Sequence, residues 1–135
     1  VQLKRSLGKA HYRYANSLRD KGMISEAIAS YQDALRNDIK QLDAANQLSL
    51  LLATTSNAAL RSPAEALALA GRLCKTTQNK NPEFLDTLSI AYAANNNFEA
   101  AAVAAQQALQ IWEKSSKPKA AATTRSRLTL YTDKQ

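Results

Sequence analysis

Glycine and proline are scarce, three of each in 135 residues. So few breakers, beside much alanine and leucine and a hydrophobic share of 45%, favour an all-helical fold. Cysteine occurs once, at Cys74, which excludes an intrachain disulfide and a cysteine-rich metal site. That count is compatible with either cytoplasm or periplasm. Histidine also occurs once. His11 has no partners of catalytic or metal-ligating type at any known spacing, so it reads as a packing residue. Gly8, Gly22 and Gly71 stand apart, which leaves no glycine-rich phosphate loop. No apolar run approaches the roughly 18 residues of a membrane span; the longest candidate is 48–53. Val1 is followed by a basic, polar stretch, so no signal-peptide pattern is visible. With no convergent catalytic set, neither an enzyme nor a cofactor site is expected.

The length fits one domain with a substantial core. The net charge of +7 is unevenly spread. Residues 1–40 and 116–135 are basic, whereas 81–115 set Lys114 against Glu83, Asp86, Glu99 and Glu113. Solvation of outer helix faces is the first reading of such charge. Binding of nucleic acid or an anionic surface through the basic ends is the second.

Residues 81–109 carry the clearest pattern. Pro82 suits a first helical position. Leu85, Leu88, Ala91 and Tyr92 recur at helical spacing. Asn95, Asn96 and Asn97 break the pattern, since asparagine tolerates the left-handed conformation that ends a helix. Phe98, Ala101, Ala105, Ala108 and Leu109 restart it. Small residues at Ser89, Ala101 and Ala108 permit close helix approach, and Leu85, Tyr92 and Phe98 fill the space between.

Residues 3–37 repeat the scheme. Leu7, His11, Tyr14, Ala15 and Leu18 share one face, and Gly22 marks the turn. Ile24, Ala27, Ile28, Tyr31, Ala34 and Leu35 follow. Equivalent positions Leu18 and Tyr92 lie 74 residues apart. Between them, Leu42, Ala45, Leu48, Ser49 and Leu52 mark one helix, and Ala66, Ala70, Leu73 and Cys74 another. Leu52 and Ala66 are fourteen apart, which places a five-residue insertion in the turn 54–63 as a surface loop. Ser62 is expected to cap the next helix, with Pro63 at its first position and Glu65 in its first turn. After a break at Ser115, Ser116, Lys117 and Pro118, residues 120–131 form a last helix with Ala121, Thr124, Leu128 and Tyr131 on one side. Trp112 is expected beneath it, near Leu128 or Tyr131.

These pairs resemble the tetratricopeptide repeat, a 34-residue helix–turn–helix. Leu85, Leu88-Ser89, Tyr92, Ala101 and Ala108 stand at its signature positions, as do Tyr14-Ala15, Leu18, Ala27, Tyr31 and Ala34. The resemblance implies a right-handed all-α solenoid of three pairs, about 8–41, 42–80 and 82–115, plus a capping helix at about 119–131. Residues 48–101 resemble a bacterial subtype with a long turn in the middle repeat. That subtype often closes long arrays, some attached to membrane glycosyltransferase-like domains, so a piece of a larger protein is expected. The family implies a protein or peptide interaction scaffold whose groove is lined by the first helix of each pair. Here that means Lys9, Tyr12, Arg13, Asn16 and Arg19, then Asp43, Asn46, Gln47 and Leu50, then Glu83, Asp86, Thr87 and Ile90. Such a groove is basic at one end, amide-rich in the middle and acidic at the other. Only Asn16 matches the family's clamp for a terminal carboxylate, so a clamp is not expected.

Overall fold

The computed structural model describes residues 2–135. They form seven helices and, among the described residues, no strand. The order is α1 (Gln2–Asp20), α2 (Ile24–Asn37), α3 (Leu42–Thr54), α4 (Pro63–Thr76), α5 (Pro82–Ala94), α6 (Phe98–Lys114) and α7 (Pro118–Asp133). No helix is long and apolar enough to cross a membrane.

Local chemistry sets the boundaries. Asn81 caps α5, its Oδ1 accepting from the Phe84 N–H at 3.2 Å, and Pro82 opens the helix without needing a donor partner. Asn97 caps α6 by accepting from the Ala100 N–H at 3.1 Å. Between them Asn96 takes φ +61, the left-handed turn its short polar side chain tolerates. Asn95 spans the same turn, donating to the carbonyl of Pro63 at 2.9 Å and so tying it to the start of α4. Gly22 ends α1 at φ +80. The expectation for Ser62 is corrected: its side chain makes no capping bond. Its own N–H donates to the Leu52 carbonyl at 2.9 Å, which anchors the loop to the end of α3.

The inserted loop starts one residue later than expected, and all of it but Thr55 lies at or near the surface. Thr54 completes α3, its hydroxyl donating to the Leu50 carbonyl, and Thr55 is buried. Residues 56–59 are exposed. Arg61 Nε reaches back to the Thr55 carbonyl at 3.0 Å, so the loop is held by its own side chains.

Packing is sequential. Each helix lies against the next in the chain, and α3 also packs on α5. Leu48, Leu52, Leu73, Phe84 and Leu85 are buried at the centre, with Tyr31 fully covered. Close approaches fall on small residues: Ala27, Ala34, Ala66, Ala101, Ala108, Ser49 and Ser89 have no exposed surface. The two serines satisfy themselves in this dry setting, Ser49 donating to the Ala66 carbonyl and Ser89 to that of Asp86. Tyr92 and Phe98 are half-buried and pack beside Ala101, Ala105 and Tyr131.

Ala101 has no exposed surface and lies among Tyr92, Phe98 and Tyr131. Ala101→Leu is expected to overpack this contact and cost ~1–3 kcal/mol. Thermal unfolding checks this, and an unchanged midpoint would contradict the packing described.

The last helix runs back along α6. Leu128 and Tyr131 therefore cover Ala101 and Ala105 near the start of α6, and Lys134 lies 5.1 Å over the Phe98 ring. Trp112, at the far end of α6, meets the beginning of α7 instead, beside Pro118, Ala121 and Arg125. The expected contact of Trp112 with Leu128 or Tyr131 is thus corrected by antiparallel geometry.

Candidate functional site

The candidate residues stand on α1, α3 and α5, and side-chain hydrogen bonds tie these helices side by side. From α1, Arg19 Nη1 donates to Gln47 Oε1 of α3 at 2.6 Å and to the Tyr31 hydroxyl of α2 at 3.1 Å. Tyr31 in turn donates to Asn16 Oδ1. Burial pushes the Tyr31 phenol up to about 12, although the Arg19 cation pulls the other way. It therefore stays protonated and able to donate. The Tyr12 ring meets the Tyr31 ring at 6.2 Å, tilted by 49°, within the centroid range of favourable aromatic pairs.

From α3 to α5 the link is Asn46. Its amide donates to Glu83 Oε1 at 3.2 Å, and its Oδ1 accepts from the Thr87 hydroxyl. From α5 the chain of links reaches α6 and α7 through Asp86. Trp112 Nε1 donates to Asp86 Oδ2 and the Thr124 hydroxyl to Oδ1, both at 2.8 Å. Arg127 lies 3.9 Å from Oδ1. Burial raises the Asp86 carboxyl above its ordinary value; the two donors and Arg127 oppose that shift. The result is a polar ladder running α1–α3–α5–α7.

Several predicted residues are rungs rather than open surface. Asn46 and Thr87 are 1% and 2% exposed, so neither offers its side chain to a ligand. Asp86 is enclosed by three partners from α6 and α7. Arg19 is held by Tyr31, Gln47 and Asp20, whose Oδ1 lies 3.1 Å from Arg19 Nη2. Leu50 and Ile90 are half-buried, Ile90 packing against the core. What remains open is Lys9 and Arg13, with half-buried Tyr12 and Asn16 beside them, and exposed Asp43 and Glu83 farther along. The side chains are thus brought into one line, but basic at one end only through Lys9 and Arg13.

Sequence reasoning missed Tyr31, Thr124 and the indole N–H of Trp112 as parts of this ladder. Tyr31 carried one signal, a tyrosine where the core alone would accept phenylalanine; its hydroxyl had to find a partner. Thr124 and Trp112 carried none, since their partner is 38 and 26 residues away.

Elsewhere, Cys74 is buried and donates weakly to the Phe84 carbonyl at 3.4 Å. Burial pushes its thiol up to about 11, which keeps it protonated and poorly nucleophilic at neutral pH. Among the described residues no three His, Cys, Asp or Glu side chains gather as a metal site would require. A comparison with known protein families finds none that matches the chain, and a comparison with curated proteins finds no match either.

Proposed function

We propose that the chain is a protein- or peptide-binding scaffold of tetratricopeptide type. In this reading α1–α2, α3–α4 and α5–α6 are three stacked pairs of a right-handed solenoid, closed by α7, and a partner segment lies along the first helices of the pairs. The polar ladder carries the reading. Arg19–Gln47, Asn46–Glu83 and Asp86–Thr124 join successive odd-numbered helices, as stacked repeats would require. The register supports it too: Ala27, Ala66 and Ala101 are equivalent in the three pairs and none has exposed surface. A ladder with its polar groups satisfied presents a rigid face, and rigid faces lose little entropy on binding.

Lys9, Tyr12 and Arg13 are the best-equipped recognition patch on that face. Arginine pairs carboxylates bidentately, and tyrosine gives a stiff contact surface. An extended segment, acidic where it meets this patch, fits the charge. The test is binding of a partner isolated by pull-down to wild type and to a Lys9→Ala, Arg13→Ala variant. These two residues are chosen because they are exposed, so their loss spares the fold. A hot-spot pair should cost more than ~2 kcal/mol, about 30-fold in affinity. Equal affinity with the helices intact would sink the groove reading. Salt separates it from nucleic-acid binding, whose log affinity would fall by about 0.9 per neutralised phosphate for each unit of log salt.

A further inference from the structure

On another part of the surface, an open slot of about 360 Å³ lies between α2, the start of α3 and α4. That volume sits within the range of about 300–1,000 Å³ common for small-molecule sites. Its floor is the core itself, the buried side chains of Ala45, Leu69 and Leu73. Half-buried Leu35 and Leu42 form its walls. Ile39 stands at the mouth with 62% of its surface in water, a large aliphatic group left uncovered beside an aliphatic slot.

The polar groups of the slot are confined to its rim. Lys40 and Arg72 are both exposed there, and among the described residues neither is in an ion pair. Asp38 turns its carboxylate to the Lys40 backbone N–H, at 3.1 Å, and neither it nor Asp43 lines the slot. Past Ile39 the surface continues into a cleft flanked by Lys4, Arg5 and Arg36, the last paired with Asp33, and by one carboxylate, that of Asp38. The mouth is therefore positive and the interior aliphatic, with no aromatic ring among its walls. A ligand apolar along its length and anionic at one end matches this segregation. A ligand polar along its body would leave groups unpaired against leucine.

We propose that the slot binds a single-chain anionic amphiphile, an unbranched alkyl carboxylate. Its tail lies over Leu69 and Leu73 and beneath Ile39, and its head meets Lys40 and Arg72. The reading is independent of the ladder face and stands or falls without it.

The test is calorimetric titration of the full chain with octanoate, decanoate and dodecanoate below their micelle concentrations, with decanol as the uncharged control. One saturable site is expected. Affinity should rise about fourfold per methylene, the equivalent of ~0.8 kcal/mol per buried CH₂, until the slot is filled. A Lys40→Glu, Arg72→Glu variant should weaken decanoate several-fold and leave decanol unchanged. Thr76→Trp, at an exposed rim position, should fill the slot and abolish both, with circular dichroism confirming that the helices are kept. No saturable binding of any chain length would overturn the proposal, as would binding indifferent to both variants. Saturable binding of a leucine- and glutamate-rich helical peptide with none of dodecanoate would assign the slot to a protein partner and overturn it as well.

Discussion

A chain ending at Ser116 is expected to lose ~3–5 kcal/mol of stability and to associate in solution. The helix removed, α7, buries Ala121, Thr124 and Tyr131 and half-buries Leu128. Covering one leucine or tyrosine side chain is worth roughly 1.5–3 kcal/mol. Two such groups amount to a large part of the ~5–15 kcal/mol that holds a typical domain together. The loss is also qualitative. Ala101 and Ala105, now without exposed surface, would face water beside Tyr92 and Phe98, an apolar patch of the kind that drives association. The exposed Arg125–Glu113 pair, 2.9 Å apart, adds little to this, since surface ion pairs contribute about 0–1 kcal/mol. Urea unfolding and gel filtration of the shortened chain decide the matter. A monomer as stable as the full chain would mean that α7 is an appendage.

Asp86→Ala is expected to cost ~2–3 kcal/mol without removing a single apolar contact of note. The carboxylate is an acceptor that α6 and α7 share, taking the Trp112 indole N–H and the Thr124 hydroxyl. Thr124 has no exposed surface, so its donor would be left without water. Leaving a buried donor unpaired costs about 1–3 kcal/mol. Asp86→Asn should cost less, because its carbonyl still accepts from Thr124 while its amide nitrogen faces the Trp112 donor. The two variants also separate charge from hydrogen bonding through pH. Burial raises the Asp86 carboxyl in the folded protein above its unfolded value. Its stabilising share is then fully present below the unfolded value and is lost as pH rises through the folded one. Wild type should therefore exceed Asp86→Asn in stability by more near pH 3 than near pH 7. A margin that grows toward neutral pH would show that Trp112, Thr124 and Arg127 outweigh desolvation.

The two predictions meet at one place. Asp86 joins α5 to α7 directly, and losing either partner loosens the same joint. The charge that the groove reading assigned to the acidic end is thus largely committed to holding the helices together. Glu83 remains exposed there, accepting from Asn46.

The sequence by itself determined the seven helices and several of their ends, although α7 runs from Pro118 to Asp133 and not from 120 to 131. Pro82 after Asn81, Gly22 after Asp20 and the run Asn95, Asn96, Asn97 act within a turn of their own position, so local spacing was enough to place them. The same holds for much of the apolar faces: Leu85, Ala101 and Ala108 fell at helical intervals and are buried, whereas Leu7 and Tyr14, read onto the apolar face of α1, are exposed. The tertiary structure alone decided which polar side chains were free. The sequence makes Asn46 on α3, Asp86 and Thr87 on α5 and Arg19 on α1 groove positions like Lys9 and Arg13, and periodicity treats them alike. Their fates differ because Asn46 meets Glu83 and Thr87, 37 and 41 residues away, and Arg19 meets Gln47 at 28. Hydrogen-bond partners at such separations depend on how one helix stacks upon another. A buried polar group must find one of them or bear the cost of desolvation, whereas an exposed lysine or arginine is left to water or to a ligand.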